Sequence, residues 1–276
     1  MPQKDSDFLP PQPPANAQCR VIDFATTDPP LPEFKRYLAA VIDNALTESE
    51  CRELLRLAET SAPDKTWERA LINMGNGKEA LSTDTRNCGR IIFDSPEITD
   101  KLQNRLMPFL RDLGIDRIED KPLMTGLQGR NKTYQLTRLN ERLRFLKYVG
   151  GEYFRPHWDG KYVTPDRKER SWFTVHLYLN GEGEQDAKEL QRAVDELEST
   201  GEYTGNPDLE GSLLGGATSF LPRMSEKERN VKVFPKTGSV LVFQQYDLMH
   251  GGDSVFRGTK YTLRTDVMYE EVDDEK

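Results

Sequence analysis

Histidine and cysteine are both scarce in this chain of 276 residues, with three of each. The cysteines, Cys19, Cys51 and Cys88, are odd in number and widely separated. They make neither a disulfide framework nor a clustered set of zinc ligands, and they fit a reducing, intracellular and cytoplasmic setting. Any imidazole chemistry must therefore draw on His157, His176 and His250. Positive charge is also in deficit: a net charge of -8 repels phosphate backbones, so nucleic acid is not an expected partner. No apolar run is long enough for a membrane helix, and no membrane association is expected. The opening stretch "MPQKDSDFLPPQPPANAQ" carries prolines where a secretory signal has its apolar segment. No internal repeat is present.

What is there begins with that proline-rich stretch, and residues 1–36 are expected to form a disordered or extended tail. Two helices follow. Thr47 with Glu50 three residues later is a capping-box signature for "TESECRELLRLAE". Ser95 and Pro96 open "SPEITDKLQNRLMPFLRDLG", in which Ile98, Leu102, Leu106 and Phe109 fall on one stripe. Residues 37–133 accordingly read as mainly helical support for a sheet. From Tyr134 the period shortens to two, in "YQLTRL", "LRFLKYV", "WFTVHLYLN", "ATSFLP", "NVKVFP", "GSVLVFQQ" and "KYTLRTDVMYE". Many short strands between glycine or polar turns predict a sandwich or closed barrel over 134–276, with a charged insertion at about 182–212. Residues 37–276 are expected to be a single domain.

In "YFRPHWDG", His157 and Asp159 are separated by one residue, so on a strand both side chains point the same way and Trp158 points the other, towards packing. Alone the pair is weak evidence for a metal. It gains weight from His250, which follows the β-prone "GSVLVFQQ" and offers a second imidazole. Two imidazoles and a carboxylate on one face of an octahedron leave three positions open, as in non-haem Fe(II) oxygenases. A closed structural zinc site would need a fourth side chain. Lys260 lies ten residues beyond His250, sharing one strand face with Thr262, Arg264 and Asp266. If that face is interior, a buried ammonium needs an anion, and a dicarboxylate chelating the metal at its other end meets the need.

The blocks "LRFLKYVGGEYFRPHWDG", "HLYLN", "GGATSF", "GSVLVF" and "LMHGGDSVFRGTK" resemble those of the prolyl 4-hydroxylase-like Fe(II)/2-oxoglutarate-dependent dioxygenases. The resemblance runs from about Leu143 to Tyr269, and the helix "VIDNALTESECRELLRLAE" is similar to the family's N-terminal helix. It implies a mainly β fold with supporting helices around a double-stranded β-helix, the cupin-like jelly roll. It implies iron on His157, Asp159 and His250, and 2-oxoglutarate with its distal carboxylate on Lys260 and Tyr178. Tyr148 matches a tyrosine of the same pocket. The implied reaction is hydroxylation of an unactivated C–H bond using O2, with 2-oxoglutarate decarboxylated to succinate and CO2 and ascorbate as a reductant. An aspartate at position 159 favours hydroxylation over halogenation.

Several residues keep two readings. His176 alternates with Thr174 and Tyr178, and is either a pocket wall beside 2-oxoglutarate or a hydrogen-bonded core histidine. Arg264 departs from the family pattern and has three candidate partners: 2-oxoglutarate, a substrate acid, or Asp266. Arg86 resembles a family arginine at the substrate entrance, with a surface salt bridge as the plainer reading. Thr218 is a candidate pocket residue. The polar stretches "MGNGKEALSTDTRN" and "DGKYVTPDRKERS" are candidate lids, whose Lys78, Lys161, Arg167 and Lys168 read first as solvated charges. The substrate is a small molecule or a peptide. A metal-binding sensor without turnover and a cupin-type metalloenzyme without co-substrate are the alternatives.

Overall fold

The computed structural model describes residues 8–75, 78–201, 203, 205, 207–226 and 228–273. With strands numbered in chain order, the larger sheet runs β1 (Gln18–Val21), β2 (Ala39–Asp43), β16 (Val240–Gln244), β12 (Glu169–Tyr178), β19 (Thr259–Val272), β10 (Arg142–Val149), β7 (Gly89–Asp94) and β3 (Glu68–Arg69). β9 (Thr133–Leu139) also pairs with β19, and β8 (Arg117–Glu119) pairs with β9. The smaller sheet runs β15 (Val231–Val233), β14 (Thr218–Phe220), β17 (His250–Gly252), β11 (Tyr153–His157) and β6 (Arg86–Asn87). Two ribbons complete the set, β13 (Leu214–Gly215) with β18 (Val255–Arg257), and β4 (Ile72–Gly75) with β5 (Lys78–Ala80).

From β10 onward the chain passes back and forth between the sheets. β10, β12, β16 and β19 lie in the larger one, while β11, β14, β15 and β17 lie in the smaller. All these pairings are antiparallel. This alternation is the winding of a double-stranded β-helix, as expected from the sequence. The sheets face each other: Phe220, Val231 and Val233 of the smaller pack with Tyr178, Leu241 and Phe243 of the larger.

The outer face of the larger sheet is closed by helices. On β12, Val175 and Leu177 join the core that also holds Leu54 and Ala58 of α1 (Glu48–Ser61) and Leu102, Leu106 and Leu110 of α2 (Pro96–Asp112). Alternation then turns Thr174, His176 and Tyr178 to the inside of the roll. Both helices start as their sequences require. The Thr47 hydroxyl accepts from Glu50 N, and Glu50 accepts from Thr47 N at 2.8 Å. Ser95 caps α2 with Pro96 in its first turn.

Residues 8–36 are not a disordered tail. Leu9, Phe24 and Leu31 are buried, and β1 pairs with β2 at the sheet edge. The prolines concealed an apolar content sufficient to dock the segment. The first seven residues lie outside the described residues. The stretch from 37 to 133 is also less helical than expected, since it supplies β2 to β8. Five of these have four residues or fewer, too short for period-two patterning to register. The segment at 182–212 carries α4 (Ala187–Thr200), reached after the four-residue α3 (Pro122–Thr125) in chain order. Asp186 caps α4 by accepting from Lys188 N and Glu189 N. Positions 76 and 77 of the first candidate lid lie outside the described residues. Among the described residues, no helix is long and apolar enough to cross a membrane.

Candidate metal and anion site

Strand pairing does the first work of assembly. β11 and β17 are neighbours with His157 opposite His250, which sets the two imidazole centroids 4.5 Å apart. Asp159 follows β11 directly and turns back between them: its Oδ1 lies 3.6 Å from His157 Nε2 and its Oδ2 3.7 Å from His250 Nε2. One ligand atom from each of the three lies within 4.8 Å of the others. On the far side of each ring, Nδ1 meets a backbone carbonyl, Arg155 O at 2.8 Å for His157 and Leu248 O at 3.1 Å for His250. A carbonyl only accepts, so each Nδ1 carries the proton and each Nε2 presents a lone pair to the space shared with Asp159. Burial pushes the His250 imidazole down to about 4, keeping it neutral and able to ligate.

Asp159 is held on one oxygen. Thr174 Oγ1 donates to Oδ2 at 2.6 Å, and Arg264 Nη2 lies 3.1 Å from the same atom. Burial opposes ionisation of this carboxyl, but Arg264, His250 and His157 outweigh it and hold it well below the usual range. Behind Arg264, Asp266 Oδ1 accepts from its Nη2 at 3.3 Å and from Gln245 Nε2 at 2.9 Å. Asp266 Oδ2 in turn pairs with Arg144 Nη1 at 3.1 Å. Arg264 thus joins the metal-face carboxylate to a buried charge network, and of its three candidate partners Asp266 is observed, together with Asp159.

One cavity collects His157, Asp159, His250, His176, Tyr148, Thr218, Lys260, Arg264 and Arg86. Tyr178 is not part of the lining but reaches it through its hydroxyl, which donates to Thr218 Oγ1 at 2.7 Å. Lys260 is 2% exposed and, among the described residues, has no carboxylate at ion-pair distance. Its Nζ sits 5.1 Å from the Tyr148 ring centroid and 5.8 Å from that of Tyr178. Burial lowers the Lys260 ammonium to about 8, against the attraction of Asp253. Gly216, at φ +71°, makes room for this side chain, since a Cβ there would stand 3.0 Å from Lys260 Cδ. Among the described residues, His176 Nε2, Thr262 Oγ1, Arg264 Nε and Arg86 Nε are all buried without a hydrogen-bond partner. A buried ammonium sharing its cavity with the unsatisfied polar atoms of Arg86, His176 and Arg264 is a cradle short of an anion. The donor set therefore fits both an ion on the two Nε2 atoms and Asp159, and a carboxylate deeper in, at Lys260.

Nine of the ten candidate site residues line this cavity and the tenth, Tyr178, adjoins it through Thr218, but three side chains behave differently from expectation. Arg86 is 8% exposed and, among the described residues, makes no surface salt bridge and has no acidic partner. His176 lines the cavity, as its pocket-wall reading requires, and among the described residues its buried Nε2 has no hydrogen bond, which the core reading would have needed. Trp158 does point away from the metal face, but it is half exposed and lines a surface cavity with Lys161, Trp172 and Tyr246. The sequence reading missed the roles of Thr174, Gln245 and Arg144. Thr174 had a signal, its shared strand face with His176 and Tyr178, whereas Gln245 reaches the network from the end of another strand.

No protein-family model and no curated protein matches the chain. Solved structures do resemble it. A viral collagen prolyl hydroxylase from Paramecium Bursaria Chlorella virus-1 is 18% identical, with 84% of this chain and 96% of that one covered at a TM-score of 0.47. A prolyl-4-hydroxylase of Pseudomonas putida is 18% identical, with 85% and 95% covered at 0.48. A Trichoplax adhaerens prolyl hydroxylase, solved with a hypoxia inducible factor peptide fragment, is 15% identical, with 86% of each chain covered at 0.48. The functional reading rests on the residues of the site itself.

Proposed function

We propose that the protein is an Fe(II)- and 2-oxoglutarate-dependent dioxygenase that hydroxylates an unactivated C–H bond. The observation that carries this reading is the coexistence, in one cavity, of an open-faced pair of imidazoles plus carboxylate and a buried lysine that has, among the described residues, no carboxylate at ion-pair distance. A structural metal site has no use for the lysine, and a simple anion site has no use for the triad.

In this reading His157, Asp159 and His250 hold Fe(II), and the carbonyls of Arg155 and Leu248 fix the imidazole orientations. Iron bound there supplies dioxygen activation coupled to oxidation of 2-oxoglutarate to succinate and CO2. Lys260 pairs with the distal carboxylate, and the Tyr178 and Thr218 hydroxyls stand beside it. Leu146, Phe154 and Phe243 wall the cavity and keep bulk water from the reacting end. Arg264 keeps Asp159 ionised, and the Thr174 hydroxyl, donating to Oδ2, fixes the orientation of its carboxylate. Ascorbate would serve only to return oxidised iron to Fe(II).

The test is 2-oxoglutarate turnover. Iron-loaded protein should release succinate from 2-oxoglutarate, slowly without substrate, and both His157→Ala and Lys260→Met should abolish it. Succinate release that continues in metal-free protein would refute the reading.

A further inference from the structure

Once Arg264 is matched by Asp159 and Asp266, and Lys260 by the carboxylate proposed for it, one buried cation of the cavity stays uncompensated. Arg86 comes from β6, the edge strand of the smaller sheet, where it pairs with Phe154 of β11. Its guanidinium carbon lies 4.6 Å from the Phe154 ring centroid, and the Phe154 ring stacks on the His157 imidazole at 3.7 Å and 19°. The guanidinium is therefore one aromatic ring away from the metal face, and it lines the same cavity. Its Nη1 donates to Leu71 O at 3.3 Å, but Nε is buried without a partner, and among the described residues no carboxylate reaches it.

A buried lysine can shed its proton to escape this situation, whereas an arginine cannot. Among the described residues the Phe154 ring and the Leu71 carbonyl meet the guanidinium only in part, and an anion entering the cavity would complete the compensation that a buried charge needs. We propose that Arg86 determines substrate specificity by binding a carboxylate of the substrate, which brings a C–H bond a few atoms away over the face formed by His157, Asp159 and His250. This rests on the dioxygenase reading and narrows its substrate class to carboxylic acids. A guanidinium suits a carboxylate bidentately. A single cation walled by Leu146, Tyr148 and Phe154 matches a monoanion, and a phosphate dianion would bury a second charge without compensation.

The experiment uses the full chain loaded with Mn(II) and N-oxalylglycine, a non-reacting 2-oxoglutarate analogue whose binding is measured first. That first measurement tests the dioxygenase reading alone, so its failure is distinguishable from failure of the Arg86 proposal. Calorimetry then compares N-acetylproline with N-acetylprolinamide, and a blocked Gly-Glu-Gly peptide with its Gly-Gln-Gly counterpart. The two pairs separate a free acid from an acidic side chain as the source of the carboxylate. The wild type should bind the acid of at least one pair tenfold or more tightly than the neutral partner. Arg86→Gln should bring that ratio to about one while N-oxalylglycine binding is kept, and Arg86→Lys should retain part of it. Equal affinity within both pairs in the wild type, or a preference unchanged in Arg86→Gln, would overturn the proposal.

Discussion

At the residue scale, the site is a problem in placing charge where water cannot reach it. Lys260 shows the cost, since burial brings its ammonium to about 8 even against the attraction of Asp253. Only the protonated form attracts 2-oxoglutarate. Its affinity should therefore be flat below pH 8 and fall by up to about tenfold per unit above it, as the free protein's Lys260 loses its proton. A calorimetric series from pH 6.5 to 9.5 checks this, and Lys260→Met should remove the pH dependence along with most of the affinity. Arg264 makes a different prediction. Its guanidinium holds Asp159 Oδ2 at 3.1 Å, so Arg264→Gln should weaken metal affinity by roughly 10–100-fold, the range for residues that orient ligands. Mn(II) titration followed by electron paramagnetic resonance measures it, and unchanged affinity would assign Arg264 to substrate or co-substrate instead. The histidines were legible because there are only three, and Lys260 because of its spacing from His250. The burial of Arg86 was not legible, since nothing local in "STDTRNCGR" distinguishes an inward from an outward guanidinium.

At the scale of elements, the site depends on strands held from behind. α1, α2 and the N-terminal segment meet at Arg105, which is 1% exposed. It donates to both carboxylate oxygens of Glu50, to Ala45 O at 3.0 Å and to Pro10 O at 2.7 Å. Arg105→Ala leaves the partly buried Glu50 without its cation and should destabilise the fold by about 3–5 kcal/mol, read by chemical denaturation. Removal of residues 1–16 takes away the Pro10 carbonyl and buried Leu9, and should lower the melting temperature. A truncated chain as stable as the whole would contradict the docking. The two helices were readable because capping obeys local rules: Thr47 with Glu50, and Ser95 with Pro96. The docking of residues 8–36 was hidden because prolines suppress periodicity without preventing burial. β3 and β6 have only two residues each, too few to carry any alternation. Yet β6 positions Arg86.

At the scale of the whole molecule, the jelly roll brings together residues spread over most of the chain, from Arg86 to Arg264. The count and spacing of apolar runs made a sandwich or closed barrel legible, and the winding itself came only from the resemblance, because short runs do not say which strand lies in which sheet. The charge network behind Asp159 was not legible, because Arg144, Thr174, Gln245 and Asp266 come from four strands whose register only the folded sheet defines. Since the metal and the anion bind only the assembled cavity, each should stabilise the fold through mass action. At 100 times its dissociation constant a ligand adds about 2.7 kcal/mol. Mn(II) with N-oxalylglycine should therefore raise the melting temperature together by more than either does alone.

Calorimetric titration of 2-oxoglutarate into the protein, with and without Mn(II), tests the central claim most directly. One-to-one binding that strengthens at least tenfold with Mn(II), and loses that gain in His157→Ala, is the predicted result. Binding of equal strength with and without the metal, or no binding at all, would contradict a joint metal and 2-oxoglutarate site.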